Sequence, residues 1–572
     1  MKYSELVKVY DALSATTKKI EKIDILAKFL PRLKDHPEWI YLLRGRVLPD
    51  YDEREFGIST QLAIKAIARA AAVDSKEVVK KFHKVGDLGD VAAELIGKKR
   101  QSTLFSKELD VARVFDNLRK IVDITGNGAV DRKLSYVIEL LSSAAGDGSV
   151  YIIRTLLNDL RVGVADAILR DGIVVAFFGE DREMRDKVEE TYDKVNDFAE
   201  VFAMASKGKK GLDSVRIVPG RPLKVMLPVK VTEIDEAFRI CGDKVAVEHK
   251  YDGFRVLINK DSRGNVSLFT RRLDNVTNQF PDVVKIVKER IHGNDFILDS
   301  EVVGYDPEKM RYRPFEAISQ RIRRKHEIER LMKKLPVEIN VFDVIYLNGE
   351  SKIDMPFIER RKVIEKIVNH EPWKIRLSKQ IITSDKKEVL KFYKEALKIG
   401  EEGVMVKRLD SPYRPGRRVG YIVKMKPEAK DLDLVIVGAE YGRGKRAGGL
   451  TSFILACRKN AGSRELVEVG KASSGLKEKE GSDGTTYKEI NDILQPLIIK
   501  EEKGYVQVKP NVVVSVTYQN VQPSPTYNSG YAMRFPRITH YRPERGKHDI
   551  ATLDDIKKEF LRMQKRRKGG LG

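Results

Sequence analysis

From the start of the chain to about residue 216, apolar residues return every three or four positions, as in Leu6, Val9, Tyr10 and Leu13 and again in Ile20, Ile23, Leu26 and Phe29. That period describes one buried face of a helix, and strand-like alternation is scarce, so the first third reads as all-helical. Polar stretches at 86–89 and 126–128 break the helices, and the basic tract 207–211 closes the region. Pro219, Gly220, Pro222 and Pro228 then cluster at a spacing that no helix can run through, which predicts a boundary near residue 218. Beyond it the period changes. Segments 244–248, 254–259, 267–270, 296–303, 337–346, 403–407 and 421–426 are rich in Val, Ile, Phe and Tyr and are separated by turn residues, so they are predicted strands. Helical patterns intervene at 281–292, 319–334, 357–370 and 385–399, and the middle of the chain reads as mixed α/β. After Pro427 short strands dominate, at 432–439, 452–458, 466–472, 505–508 and 512–521, spaced like a five-stranded OB-type barrel, with a closing helix near 553–565. The expected fold is a multidomain α+β chain: a helical domain over 1–218, a mixed α/β domain over 219–427 and an OB-fold with a C-terminal helix over 428–572.

Charge narrows the partner. Lys and Arg number 107 against 84 Asp and Glu, a net charge of +23 over 572 residues, so a polyanion is the first suspect. Two cysteines, Cys241 and Cys457, can form neither a disulfide framework nor a four-cysteine zinc site, and the eight histidines lack metal-ligand spacing. The longest apolar runs, such as 173–178, fall far short of the ~20 residues of a membrane span, and the charged start is no signal peptide, so a cytoplasmic protein without membrane contact is expected. No G-x-x-x-x-G-K-[ST] phosphate loop occurs.

The strongest chemical signal lies at 245–255, where period-2 geometry puts Glu248 and Lys250 on one face of a strand and Asp252-Gly253 supplies a turn directly after it. An ordinary lysine is a poor nucleophile. With a pKa near 10.4, about one in 2,500 is neutral at pH 7, a handicap of roughly 4–5 kcal/mol. Nearby cations lower that pKa, and Arg255, Arg271, Lys424 and Lys426 are candidates that would also hold a triphosphate. Asp299 and Glu301 share one face of a predicted strand and suit a hard cation such as Mg²⁺. Glu402 precedes another strand that ends at Lys407, and Lys424 and Lys426 point to one face of a third, which favours a phosphate between or above them. Each cluster alone also fits a solvated strand edge. Their joint occurrence does not.

The ordered set Glu248-x-Lys250-x-Asp252-Gly253-x-Arg255, Arg271, Asp299-x-Glu301, Phe342-Asp343, Glu402-Gly403-x-x-x-Lys407 and Lys424-x-Lys426 resembles the motif series of covalent nucleotidyltransferases, the polynucleotide ligases and mRNA capping enzymes. Over nearly its whole length the chain is similar to the three-domain ATP-dependent DNA ligases of archaea and eukaryotes, and it shares Arg221-Pro222, 346–349 and 441–447 with them. The resemblance implies a helical DNA-binding domain, an adenylation domain and an OB-fold that seal nicks in duplex DNA in replication, repair and recombination. It implies ATP as cofactor with Mg²⁺, Mn²⁺ being the alternative. Lys250 would become adenylated. Glu248 would read the adenine amino group, and Phe342 would stack on the base. Arg255, Arg271 and Arg418 would engage ribose or phosphates, Glu301 and Glu402 would organise the metal, and Lys424 and Lys426 would contact the α-phosphate. One motif departs from the family. The closing R-F-P-R is intact at 534–537, but the following R-x-D-K reads Arg542-Pro-Glu-Arg545, with Lys547 nearby. In the family this motif orients the pyrophosphate, and a planar guanidinium is no copy of an ammonium.

A ligase must accept any sequence, so its grip on nicked double-stranded DNA is expected to be electrostatic. Candidates are Arg154, Arg161 and Arg170 in the helical domain and Arg443, Lys445 and Arg446 near the start of the third. The basic helix expected over 320–334 is read as a solvated face. Gln101, Leu104 and Phe105 resemble a short peptide that binds the replication sliding clamp, with core packing as the competing reading. A monomer associated with the nucleoid is expected. The rivals are an RNA ligase or capping-type enzyme, disfavoured by the large helical domain, and a non-enzymatic clamp-associated DNA-binding scaffold, which would not be expected to keep Lys250, Glu301, Glu402, Lys424 and Lys426 together.

Overall fold

The computed structural model describes residues 1–98, 109–144, 146–322, 324, 327–427, 431–442, 449–478, 484–502 and 504–568. The chain forms two compact units. One comprises Met1–Pro228, Asp252–Ser378 and Leu409–Gly420, and the other Val229–Tyr251, Lys379–Arg408 and Tyr421–Gly572.

The first unit begins with helices that run from Tyr3–Ser14 to Lys209–Asp213 around a core that includes Leu6, Leu13, Leu26, Ile67, Ile152 and Phe202. Their starts follow from the polar breaks in the sequence. Asp74, Asp110, Asp181 and Asp197 each accept a backbone N–H of the first turn that has no partner within the helix. Ile20, counted in the apolar period, is exposed in the first turn of the helix Lys19–Phe29.

Among the described residues, twelve strands lie between positions 227 and 425: β1 Leu227–Val231, β2 Val245–Lys250, β3 Phe254–Lys260, β4 Val266–Thr270, β5 Phe296–Asp306, β6 Arg311–Tyr312, β7 Val337–Leu347, β8 Glu350–Ser351, β9 Ile375–Leu377, β10 Gln380–Thr383, β11 Gly403–Arg408 and β12 Arg418–Met425. A seven-stranded sheet of the first unit has the path β4-β3-β5-β7-β8, with β6 on β5 and β9 parallel to β7. Phe254, Val256, Ile258, Leu298, Val302 and Ile339 form its apolar face. β5, which carries Asp299 and Glu301, is an interior strand between β3 and β7 rather than an exposed edge. A second sheet has the order β1-β12-β11-β2-β10. In the second unit its apolar face, with Val245, Val247, Val404, Val406 and Val423, packs on Phe238 and on Val389 and Phe392 of the helix Lys386–Lys398.

The C-terminal part of the second unit is β-rich. Strands β13 Leu432–Tyr441, β14 Leu450–Arg458, β15 Leu466–Ala472, β16 Ile498–Glu502, β17 Tyr505–Thr517 and β20 Arg537–Tyr541 make a six-stranded sheet where five strands were expected, and β18 Asn520–Pro523 pairs with β19 Tyr531–Arg534. The two segments predicted at 505–508 and 512–521 are largely one strand, because β17 runs through Lys509 and Pro510 and pairs with β13 on both sides of a bulge. The helix Tyr487–Leu494, which the sequence reading missed, starts at a Thr486/Glu489 capping box. The closing helix is Leu553–Lys568.

The predicted helix over 319–334 is instead two, Phe315–Ile322 and Ile328–Lys334. Its reading as a solvated basic face fails at Arg321, which is fully buried. That guanidinium is paired with Asp282, donates to the Gln279 and Leu335 carbonyls and lies 4.3 Å from the Phe280 ring centre. Removing one partner of a buried pair strands the other charge. Arg321→Ala is therefore expected to lower the unfolding free energy by about 3–5 kcal/mol. In urea denaturation, Lys333→Ala at an exposed position should change it by less than about 0.5 kcal/mol.

Candidate active site

In the second unit, antiparallel pairing sets Lys250 opposite Gly403, Glu248 opposite both Met405 and Gln380, and Met405 opposite Lys424. Directly paired residues share a face, and faces alternate along each strand, so Glu248, Lys250, Gln380, Met405, Lys407 and Lys424 all project from the side opposite the valine core. Gly403 has φ +146°, and a Cβ there would sit 2.2 Å from the Met425 carbonyl oxygen. Only glycine fits this close backbone approach. It lets Glu402, whose N–H donates to the Lys250 carbonyl, reach back beside the lysine.

Two ion-paired groups follow. Lys250 Nζ lies 2.8 Å from Glu402 Oε2, and Lys426 pairs with the same carboxylate. Burial works against the charge of Glu402, but the two ammonium groups outweigh it and hold the carboxyl down at about 2. Gln519 Nε2 donates to Glu402 Oε1 at 3.4 Å. Glu248, 2% exposed, is bound at 2.7 Å by Lys407 Nζ and at 2.8 Å by Gln380 Nε2.

The first unit holds a separate constellation. Arg255 sits opposite Glu301 across β3 and β5. Its guanidinium grips Asp299 with two hydrogen bonds of 2.8 and 2.5 Å and donates to the Met226 carbonyl at 2.7 Å. Tyr413 donates to Asp299 Oδ2 at 2.7 Å. Burial opposes the charge of Arg255, yet Asp299 prevails and raises its pKa, while burial and then Asp299 push the Tyr413 hydroxyl well up. The β5–β7 ladder shifts register here, with Asp299 opposite Asp343 and Ser300 opposite Val341, so Phe342 is the extra residue of a β-bulge. The Arg255 guanidinium lies 5.4 Å from its ring centre. Asp343 is buried against Arg360 at 2.7 Å. Burial, then the charges of Arg255 and Arg418, lower the pKa of Arg271, and the charge of Glu301 acts in the opposite sense.

Of the residues expected from sequence, the second unit brings together Glu248, Lys250, Glu402, Lys424 and Lys426, and the first brings together Arg255, Arg271, Glu301, Phe342 and Arg418. Asp299 turns out to be the internal counter-ion of Arg255. Gln380, Tyr413 and Gln519 were missed, because single polar residues in a short strand or a loop carry no periodic signal. Arg154 is only 15% exposed and is paired with Asp87 and Asp90, Arg161 with Asp87 and Asp159, and Arg170 with Glu189, so these cations have protein partners. In the divergent motif, Arg545 lies 2.6 Å from Asp433, and Arg542 lies 2.6 Å from Glu544. Arg443, Lys445 and Arg446 and the clamp-like Gln101, Leu104 and Phe105 lie outside the described residues.

Gly403→Ala should destabilise the protein by at least about 2 kcal/mol, from the disfavoured backbone region plus the clash with Met425. The check is thermal unfolding against Gly420→Ala, where an added Cβ meets nothing within 4 Å.

Sequence models of three domains match the chain: DNA ligase N terminus over residues 2–174, ATP dependent DNA ligase domain over 225–426, and ATP dependent DNA ligase C terminal region over 446–545. The DNA ligase of Nanoarchaeum equitans is 42% identical over 564 residues, 98% of each chain, and that of Thermococcus fumicolans 40% over 569 residues, 99% of each. The solved structure of Pmar-Lig_PreS3 shares the fold, with a TM-score of 0.54 at 17% identity over 94% of this chain and 99% of that one. The chain belongs to the ATP-dependent DNA ligases.

Proposed function

We propose that the protein seals nicks in duplex DNA through an adenylated Lys250. The observation that carries this reading is the single polar sheet face on which Lys250 lies beside Glu402 and in line with Glu248, Lys424 and Lys426. The Lys250 nitrogen attacks the α-phosphorus of ATP, the bond to the pyrophosphate oxygen breaks, and the amine gives up a proton. An oxygen of the 5′-phosphate at the nick then displaces the lysine from that phosphorus. The 3′-hydroxyl finally attacks the 5′-phosphorus and releases AMP. Proximity and charge stabilisation of in-line displacement supply the acceleration.

Lys250 is ion-paired with Glu402, so the attack requires the amine to leave that carboxylate. Glu402 and Glu301 are hard oxygen donors, and the ionised state of Glu402 suits Mg²⁺ or Mn²⁺. Such an ion would neutralise phosphate charge. Lys424 and Lys426 would hold the α-phosphate, and Arg271 and Arg418 the remaining phosphates or the ribose. Arg255, committed to Asp299, would act by holding Phe342 for the base. Glu248 would accept from the adenine amino group.

DNA contacts are assigned to Arg161, Arg443, Lys445 and Arg446, with Arg154 and Arg170 braced by their carboxylates, and the working form is a monomer at the cytoplasmic nucleoid. The resemblance of Gln101, Leu104 and Phe105 to a clamp-binding peptide supports the replication sliding clamp as a partner. Leu104→Ala with Phe105→Ala should abolish clamp pull-down and leave the melting temperature within a few degrees. A large fall in melting temperature would make both core residues.

Incubation with α-labelled ATP and Mg²⁺ followed by denaturing electrophoresis should label the wild type, and Lys250→Ala should lose at least about 99% of the label. Nicked duplex DNA should chase the label and be sealed. Equal labelling of the variant would move the nucleophile elsewhere, and sealing of RNA alone would favour an RNA ligase.

A further inference from the structure

Glu248 is held on both oxygens. Lys407 Nζ is 2.7 Å from Oε2, and Gln380 Nε2 is 2.8 Å from Oε1. The side chains of Glu248 and Lys407 are 2% and 5% exposed, so this is a desolvated pair. The three residues come from the adjacent strands β10, β2 and β11, with Gln380 directly opposite Glu248 in register.

The two partners do different work. The Lys407 ammonium and the Gln380 amide nitrogen are both donors, so both oxygens of Glu248 act as acceptors here. Lys407 grips one oxygen, and the terminal torsion of a glutamate is broad, so that grip alone leaves the plane of the carboxylate free to turn. The Gln380 amide takes the second oxygen and removes that freedom. A nucleobase that meets a fixed acceptor must present a donor. Adenine carries an amino group at ring position six, whereas guanine carries a carbonyl oxygen there. A buried site built for one hydrogen-bond pattern rejects the other strongly, because the mismatched groups are left unpaired.

We propose that Gln380 is a positioning residue for base choice, holding the Glu248 carboxylate so that a nucleotide with a six-amino group is taken and one with a six-carbonyl group is refused. This rests on the reading of Glu248 as the base contact.

The test is self-labelling by α-labelled ATP and by α-labelled GTP across nucleotide concentrations, in wild type, Gln380→Met and Glu248→Gln. Gln380→Met should raise the KM for ATP about tenfold, keep the rate at saturating ATP within about threefold, and lower the ATP-to-GTP ratio of kcat/KM by about ten- to a hundredfold. Glu248→Gln, whose amide can also donate to guanine, should lower that ratio at least as far. Should Gln380→Met fail to fold, Gln380→Asn, which withdraws the amide by one methylene, gives the same comparison. A purely structural role would weaken ATP and GTP labelling alike, and an unchanged ratio in the Gln380 variant overturns the proposal. So does a wild type that accepts GTP as readily as ATP. If Glu248→Gln also leaves the ratio unchanged while Lys250→Ala still loses the label, the base-contact reading of Glu248 falls and the covalent mechanism stands.

Discussion

The antiparallel pairing of β2 with β11 is the constraint on which the chemistry of the second unit depends. With Lys250 opposite Gly403, the residue just before that glycine is brought against the lysine, and Glu402 becomes its counter-ion. A slip by one residue would turn Glu248, Lys250 and Lys407 into the valine core and send Val247 and His249 to the polar side. The valines on the other face guard against that slip, since their burial against Phe238 and Phe392 is lost together with the register. Hydrophobic packing on one side of the sheet thus fixes the geometry of charge on the other.

The buried ions fall into two classes. Arg255 with Asp299, Arg360 with Asp343 and Lys407 with Glu248 are pairs whose partners are each deeply buried or nearly so, and replacing such pairs by apolar residues is often neutral or stabilising. Their use lies in orientation. The first holds an arginine against the bulged Phe342, the second locks Asp343 next to that bulge, and the third holds one oxygen of Glu248 in place. Lys250 and Lys426 differ because they converge on one carboxylate, so that two positive charges share one negative charge. Two cations gathered around one carboxylate suit a polyanionic substrate.

The period change near residue 218 and the alternation of predicted strands and helices carried most of the architecture, because burial of one face writes itself into the sequence at intervals of 3.6 or 2. The reading failed where burial is not apolar. Arg321 looks like part of a basic solvated helix, yet it is a buried anchor, since a guanidinium can satisfy five donors inside the protein as well as in water. β17 was cut in two because Pro510 signals a break in any single-sequence reading, whereas a strand with a bulge tolerates it.

The sequence by itself determined the family and singled out Lys250 as the candidate nucleophile, because that lysine, its companions and their order are chemical requirements that survive in one dimension. Which charges are spent inside the protein and which remain for a ligand was decided only in three dimensions. Arg255 and Arg271 look alike in the chain, but one is committed to Asp299 and the other stands among like charges. Gln380 lies 132 residues from Glu248, and no local pattern announces that pairing. An ion pair depends on distance and desolvation, and both are properties of the folded chain rather than of residue order.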